Sequence, residues 1–338
     1  MDIKNVLFDL SQSCSLGSIT EARDIAFDLL KNLTDTYEKT DNLTVIGTIK
    51  GESDYTLMLA AHIDEIGFTV TDIDDNGFLT VAKCGGIDLR TLPAKRVTGH
   101  GKKKVTGVFC STPPHLAERE ASFEDISKFK IDTLLGKEAK DVISVGDFVT
   151  FATEPCELKD DLVCGKSFDD RAGVVALLSL AEQLKGNKHP ITVKIVFTDM
   201  EELGVRGAIT SAYKVNPDEA IAIDVSFGNA PDVKHTECGK LGEGAMIGFA
   251  PVLDKTMSKK LLNIAKEEAI PYQTEVMGGR TGTDADALGI SREGVKTGVV
   301  SIPLRNMHTD IEILDINDIE SVSNLLKEYI LRGGVKNA

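Results

Sequence analysis

Residues 56–65 read TLMLAAHIDE. Leu57 to Ala61 form an unbroken apolar run, the pattern of a sheet strand covered on both faces rather than the alternation of a half-exposed one. His62 and Asp64 follow at once, so imidazole and carboxylate donors stand at the strand's carboxyl end. In an open α/β sheet, ligands collect in the crevice beyond those ends.

Four further clusters extend the pattern: SFDDRAG with Asp169 and Asp170, TDMEELG with Glu201 and Glu202, AIDVS with Asp224, and NMHTD with His308. Glu201 and Glu202 follow the apolar run ITVKIVFTDM, Asp224 ends AIAID, and His308 follows VVSIPLRN. Asp169 and Asp170 instead precede a helix beginning near Ala172, whose N-terminus also accepts carboxylates. Taken singly, each has an ordinary explanation. An H-x-D is a surface turn, paired aspartates cap helices, paired glutamates are solvated, and a lone histidine is a hydrogen-bonded structural residue. Independent surface features have no reason to line up at one edge of one sheet, however, and oxygen and imidazole donors gathered there suit a pair of divalent cations. The chain reads as a dinuclear metallohydrolase.

The sequence around these clusters sets the architecture. Helical spacing over residues 2–12 and 19–31, the second with Ser18 and Thr20 as candidate caps, precedes the strands TVIGTIK and TLMLAA. From about residue 68 the texture changes to short alternating segments separated by turn residues (FTVTDI, FLTVAKCGG, KRVTGHG, KKKVTGVFC, VISVGDFVTF), as in a small β-barrel or sandwich. Before the last of these, STPPHLAEREASFEDISKFKIDTLLG reads as a loop with a short helix. After about residue 163, strands alternate with helices again, which argues for a mostly parallel sheet. The expected fold is α/β, a mostly parallel sheet flanked by helices, with a small β-barrel-like insertion. The expected division is a discontinuous catalytic domain, 1–67 and 164–338, interrupted by 68–163.

Composition excludes several functions. The chain has 338 residues, with 38 Lys and Arg against 53 Asp and Glu and a formal net charge of −15. That charge repels nucleic acid and anionic lipid. Six cysteines show no C-x-x-C pair and read as reduced thiols. The N-terminus lacks the basic and long apolar character of a leader, and no run of ~18 apolar residues occurs; the expectation is a cytoplasmic protein. GKLGEG and GGRTGTDADALG do not match a phosphate loop, and no G-x-S-x-G elbow is present. Cys164 has no histidine close to it in sequence and reads as packing rather than as a nucleophile.

Together, AAHIDEIGF, GGIDLRTLPAKRV, VGDFVTF, SFDDRAG, EELGVRGA, AIDVS, TDADA and IPLRNMHT occur in an order that resembles the glutamyl aminopeptidase and cellulase M family of dinuclear metalloaminopeptidases, which includes the tetrahedral, dodecameric TET peptidases. The resemblance runs over nearly the whole chain. It implies that His62, Asp169 and Asp224 hold one metal and that Asp169, Glu202 and His308 hold the other, with Asp169 as the bridge. It further implies Glu201 as general base, Asp64 as the carboxylate that orients His62, and Asp170 as an adjacent supporting residue; the choice of Asp169 over Asp170 follows the family's spacing to Gly173. Two divalent ions per subunit are implied, zinc or cobalt with manganese also suitable, and peptides as substrates. The inserted β domain is implied to mediate dimerisation, with dimers assembling to a dodecamer. Met200 stands where many members have glutamine, and Asn306 where an aromatic is common. Alternatives are a related dinuclear deacylase or carboxypeptidase, whose extra domain usually enters between the carboxylates and the last histidine; a glycosidase, which needs two carboxylates but no histidines; and a non-catalytic scaffold.

Overall fold

The computed structural model describes residues 1–338 except 42–43, 114, 117–124, 232, 235–237 and 337–338. Its centre is an eight-stranded sheet in the order Tyr272–Val276, Ala245–Phe249, Lys296–Leu304, Glu219–Phe227, Thr56–His62, Thr192–Thr198, Val45–Ile49, Thr36–Lys39. The four middle strands, from Lys296–Leu304 to Thr192–Thr198, run parallel. Their carboxyl ends therefore open on the same side.

The apolar run Leu57–Ala61 shows why this sheet needs cover on both faces. Leu57, Leu59 and Ala61 point into a core shared with the helices Ile3–Gln12, Phe168–Leu184 and Ile316–Leu331. Met58 and Ala60 point the other way, into a smaller core with Ala208 and Ala212 of the helix Arg206–Val215 and Leu288 of the helix Ala285–Leu288. All five are fully buried. A two-residue side-chain period combined with burial on both sides produces an unbroken apolar sequence.

The two N-terminal helices form at Ile3–Gln12 and Glu21–Leu30. Thr20 occupies the N-cap position of the second, but its hydroxyl donates to Asp24 Oδ2, at 2.8 Å, instead of accepting from a helix amide. The competing side-chain acceptor one turn on takes the hydroxyl.

Between the strand Thr56–His62 and the helix Phe168–Leu184 lies a closed antiparallel barrel of the strands Ile131–Asp132, Leu79–Cys84, Gly67–Ile73, Phe148–Phe151, Arg96–His100 and Lys104–Phe109. It has its own apolar centre, where Phe68 meets Phe109 and Phe151 edge-on at 5.1 and 5.6 Å. Part of the segment read as a loop with a short helix, residues 114 and 117–124, lies outside the described residues; beyond it is a 3-10 turn at Ile126–Lys128. After the barrel, Cys156–Glu157 and Leu162–Gly165 form a hairpin that pairs with Glu312–Asp315 as a separate three-stranded sheet. No helix among the described residues is long and apolar enough to cross a membrane.

Leu59→Ala, in the central strand, is expected to cost about 2–5 kcal/mol. Leu134→Ala, at a side chain 86% exposed, should stay within about 0.5 kcal/mol. Denaturant unfolding of both variants checks this; a smaller loss at Leu59 than at Leu134 would contradict the assigned core.

Candidate metal centre

His62 is the last residue of its strand and sits opposite Thr198 of the parallel neighbour. Its backbone amide donates to Asp170 Oδ2 at 3.2 Å, while its ring Nε2 lies 2.9 Å from Asp169 Oδ1. The other nitrogen, Nδ1, is 3.5 Å from Asp64 Oδ1 and has no hydrogen bond among the described residues. Asp64 does more than face His62: Oδ1 accepts from the Glu201 amide at 3.1 Å and Oδ2 from the Glu202 amide at 3.2 Å. One buried carboxylate thus fixes the loop that carries both glutamates.

Asp169 and Asp170 fall inside the assigned helix Phe168–Leu184, but neither has helical backbone angles. Regular helix begins beyond them, and Asp170 acts as its cap, with Oδ1 accepting from the Gly173 amide at 3.0 Å. A Cβ on residue 173 would stand 2.6 Å from both Asp170 carboxylate oxygens, so this close approach requires glycine. Asp170 points toward its helix and the His62 amide, leaving Asp169 to reach both histidines. His308 Nε2 lies 3.3 Å from Asp169 Oδ2 and 3.3 Å from Glu202 Oε1.

Asp224 is not the end of its strand, because Glu219–Phe227 continues past it against Lys296–Leu304. Pairing with the strand Thr56–His62 stops earlier, at Ala222 opposite Ala60. Asp224 therefore emerges where one neighbour has dropped away, its side chain buried beside the other donors.

All eight residues singled out from the sequence, Asp170 included, lie close together at one edge of the sheet. Ligand atoms of His62, Asp169 and Asp224 lie within 4.8 Å of one another, as do those of Asp169, Glu202 and His308, and Asp169 belongs to both sets. A third set, His62, Glu201 and Glu202, meets the same distance.

The charges explain what this cleft needs. Burial pushes Glu201 up to about 8 and Glu202 up to about 7, with neighbouring carboxylates adding to the effect against the histidines. Burial also drives Asp170 and Asp224 well above the carboxylate range. Asp169 goes the opposite way: burial raises it, but His308 and His62 outweigh that and hold it low. The hydrogen bond to Asp169 lifts His308 to about 9. Among the described residues no lysine or arginine pairs with Asp169, Glu201, Glu202 or Asp224. The nearby buried cations are used elsewhere, Lys166 and Arg171 on Glu65 and Arg23 on Asp199. A buried excess of carboxylates without side-chain cations, joined by imidazoles, is a donor set that fits divalent metal.

Several residues that shape the site escaped the sequence reading. Glu312 lies at the start of the short strand Glu312–Asp315; its carboxylate accepts from the Asp169 amide at 3.1 Å and the His308 amide at 3.0 Å, tying the two together. Nothing in the surrounding DIEILD marks it. Glu65 and Arg171 stood inside quoted motifs and form a buried pair at 3.0 Å behind the donors. The barrel also contributes, through Gly85 and Gly86. A Cβ at Gly86 would come 2.8 Å from His308 Nδ1 and one at Gly85 3.0 Å from Glu202 Oε2.

The M42 glutamyl aminopeptidase family profile matches residues 44–325. The chain belongs to this family, and it is an enzyme of the peptide-hydrolase class. It is 34% identical to the lysyl aminopeptidase of Pyrococcus furiosus over 318 residues, covering 91% of this chain and 90% of that one. An aminopeptidase structure from the archaeon Desulfurococcus kamchatkensis superposes with a TM-score of 0.92 at 33% identity, over 98% of this chain and 95% of that one. A peptidase of Pyrococcus horikoshii, which can assemble into a tetrahedron or a large octahedral shell, superposes with a TM-score of 0.85 at 30% identity, over 98% and 99% of the two chains.

The raised groups predict how the metal-free protein responds to pH. Glu201, Glu202 and His308 all titrate higher when folded than when unfolded. Their contribution to stability is complete below their ordinary values and is lost as pH rises through about 8, 7 and 9 respectively. Thermal midpoints of chelator-treated protein should therefore fall steadily from about pH 5 to about pH 9, and added divalent cation should restore most at the alkaline end. A flat profile with a pH-independent gain from metal would contradict the assigned charges.

Proposed function

We propose that this chain is a dinuclear metal-dependent aminopeptidase that releases N-terminal residues from peptides. The observation that carries the proposal is the double membership of Asp169 in two three-residue donor sets. His62, Asp169 and Asp224 would hold one divalent ion, and Asp169, Glu202 and His308 the other. Zinc, cobalt and manganese all suit this set. When bound, such a pair supplies Lewis acidity, acidifying water and polarising the scissile carbonyl.

The protein's own groups supply the rest. Glu201 is the general base: it takes a proton from the attacking water and returns it to the leaving amine. Its burial and raised proton affinity suit a group that must hold that proton between the two steps. Glu201 could also reach a cation through the third donor set, but Asp64 holds the Glu201 and Glu202 amides side by side, and Glu202 is the one whose carboxylate meets His308 and belongs to the set with Asp169. Asp64 acts as a positioning residue for His62 and this loop, and Glu312 for Asp169 and His308. Nearby carboxylates would anchor the free α-amine of a peptide and so restrict cleavage to its first residue.

The same proposal divides the chain into a catalytic unit, 1–67 and 164–338, and an inserted unit, 68–163, that pairs two subunits. Exposed apolar side chains on the inserted unit, Leu134 and Val145, support a pairing role. The shell-forming relative supports assembly into a large closed particle, proposed here as a dodecamer built from such dimers with a cytoplasmic location.

Glu201→Gln should lower turnover of aminoacyl substrates by about 10²–10⁴-fold while metal content stays that of the parent. Steady-state kinetics paired with elemental analysis checks this; unchanged turnover in the metal-loaded variant would remove Glu201 as the base. Chelation should abolish the parent's activity, and divalent metal should restore it.

A further inference from the structure

The hairpin leading into Asp169 carries a feature that peptide hydrolysis does not use. Its strands, Cys156–Glu157 and Leu162–Gly165, place Cys156 directly opposite Cys164. Directly opposed residues of an antiparallel pair point to the same face, with Cα atoms about 4.5–5.5 Å apart. A disulfide spans Cα separations of about 4.4–6.8 Å, a range that includes the spacing of directly opposed strand residues. Among the described residues no other two cysteines are strand partners. Cys14 is buried beside Glu65, and Cys84 contacts the Thr69 hydroxyl at 3.1 Å.

We propose that Cys156 and Cys164 form a redox-modifiable pair, closing to an intrachain disulfide by exchange with a small-molecule disulfide such as glutathione disulfide. The proposal is independent of the aminopeptidase assignment. Cys156 is exposed and Cys164 half-buried. Burial and the neighbouring thiol push Cys164 up to about 11, so Cys156 is the group that reacts first. Its thiolate attacks one sulfur of the small disulfide, forming a mixed disulfide and expelling one thiolate. Cys164 then gives up its proton and attacks the Cys156 sulfur, and the second small thiolate leaves and takes up a proton. Two protein thiols are oxidised, and one small disulfide is reduced to two thiols.

The position of the bond sets its consequence. Cys164 pairs on its other side with Ile313, and Gly165 pairs with Glu312, the residue whose carboxylate holds the amides of Asp169 and His308. The turn of the hairpin includes Asp160 and Asp161 with left-handed backbone, at φ +59° and +63°, a conformation uncommon outside glycine but favoured by aspartate. A disulfide between Cys156 and Cys164 closes only a short loop, so its effect is local: it holds the outer strand against the one that delivers Asp169.

The test uses the full-length chain, reduced, then incubated with glutathione disulfide, alkylated, and analysed by intact mass and peptide mapping. The expected result is loss of the mass of two hydrogen atoms and a crosslinked peptide joining Cys156 to Cys164. Dithiothreitol should reverse it, and Cys156→Ser and Cys164→Ser should each prevent it. The thermal midpoint of the oxidised parent should rise by about 2–4 °C. Recovery of both thiols in alkylated form, or a persistent glutathione adduct on Cys156 beside a free Cys164, would overturn the proposal. Because these readings come from the parent chain, they do not depend on the folding of a variant.

Discussion

The candidate centre depends on one carboxylate facing two imidazoles. Asp169 meets His62 through one oxygen and His308 through the other, at 2.9 and 3.3 Å. These histidines come from segments 246 residues apart in sequence, and they meet because the parallel strands deliver both to the same edge. Everything near Asp169 serves to keep that geometry. Asp170 caps the following helix and holds the His62 amide, Glu312 holds the amides of Asp169 and His308, and Asp64 holds those of Glu201 and Glu202. Three carboxylates used as backbone acceptors leave the others free to act as ligands.

This arrangement carries an electrostatic cost. Carboxylates gathered away from solvent repel each other and lose hydration, which is why Asp224, Glu201 and Glu202 all bind protons more tightly than usual. The fold offsets part of that cost locally, by pairing Glu65 with Lys166 and Arg171 and Asp199 with Arg23 behind the donors. Opposed charge in those pairs leaves the front of the cleft uncompensated. Divalent cations would supply the missing charge, so the feature that destabilises the empty cleft is the one that suits it to metal.

Much of this was legible in the sequence because it obeys short-range rules. TLMLAA followed by H-x-D announces a doubly covered strand and its carboxyl end, and the change of texture near residue 68 announces the barrel. Other features depend on contacts between distant segments. Glu312 is an ordinary glutamate in DIEILD until a strand pairing sets it under Asp169. Asp224 reads as a strand terminus, yet its strand continues, and it becomes available only because the neighbouring strand stops. Asp169 and Asp170 are equivalent in sequence; backbone geometry and Gly173 separate the one facing the histidines from the one facing the helix. The glycine pair Gly85 and Gly86 was visible, but not that it brings the barrel against His308 and Glu202.

The most direct test of the shared-carboxylate account is metal content per chain, by elemental analysis, of the parent, Asp224→Asn and Asp169→Asn after loading and desalting. The account predicts about two ions in the parent, about one in Asp224→Asn, whose change touches a single donor set, and close to none in Asp169→Asn, whose change touches both. An Asp169→Asn protein that is folded and retains the parent's full complement would contradict it.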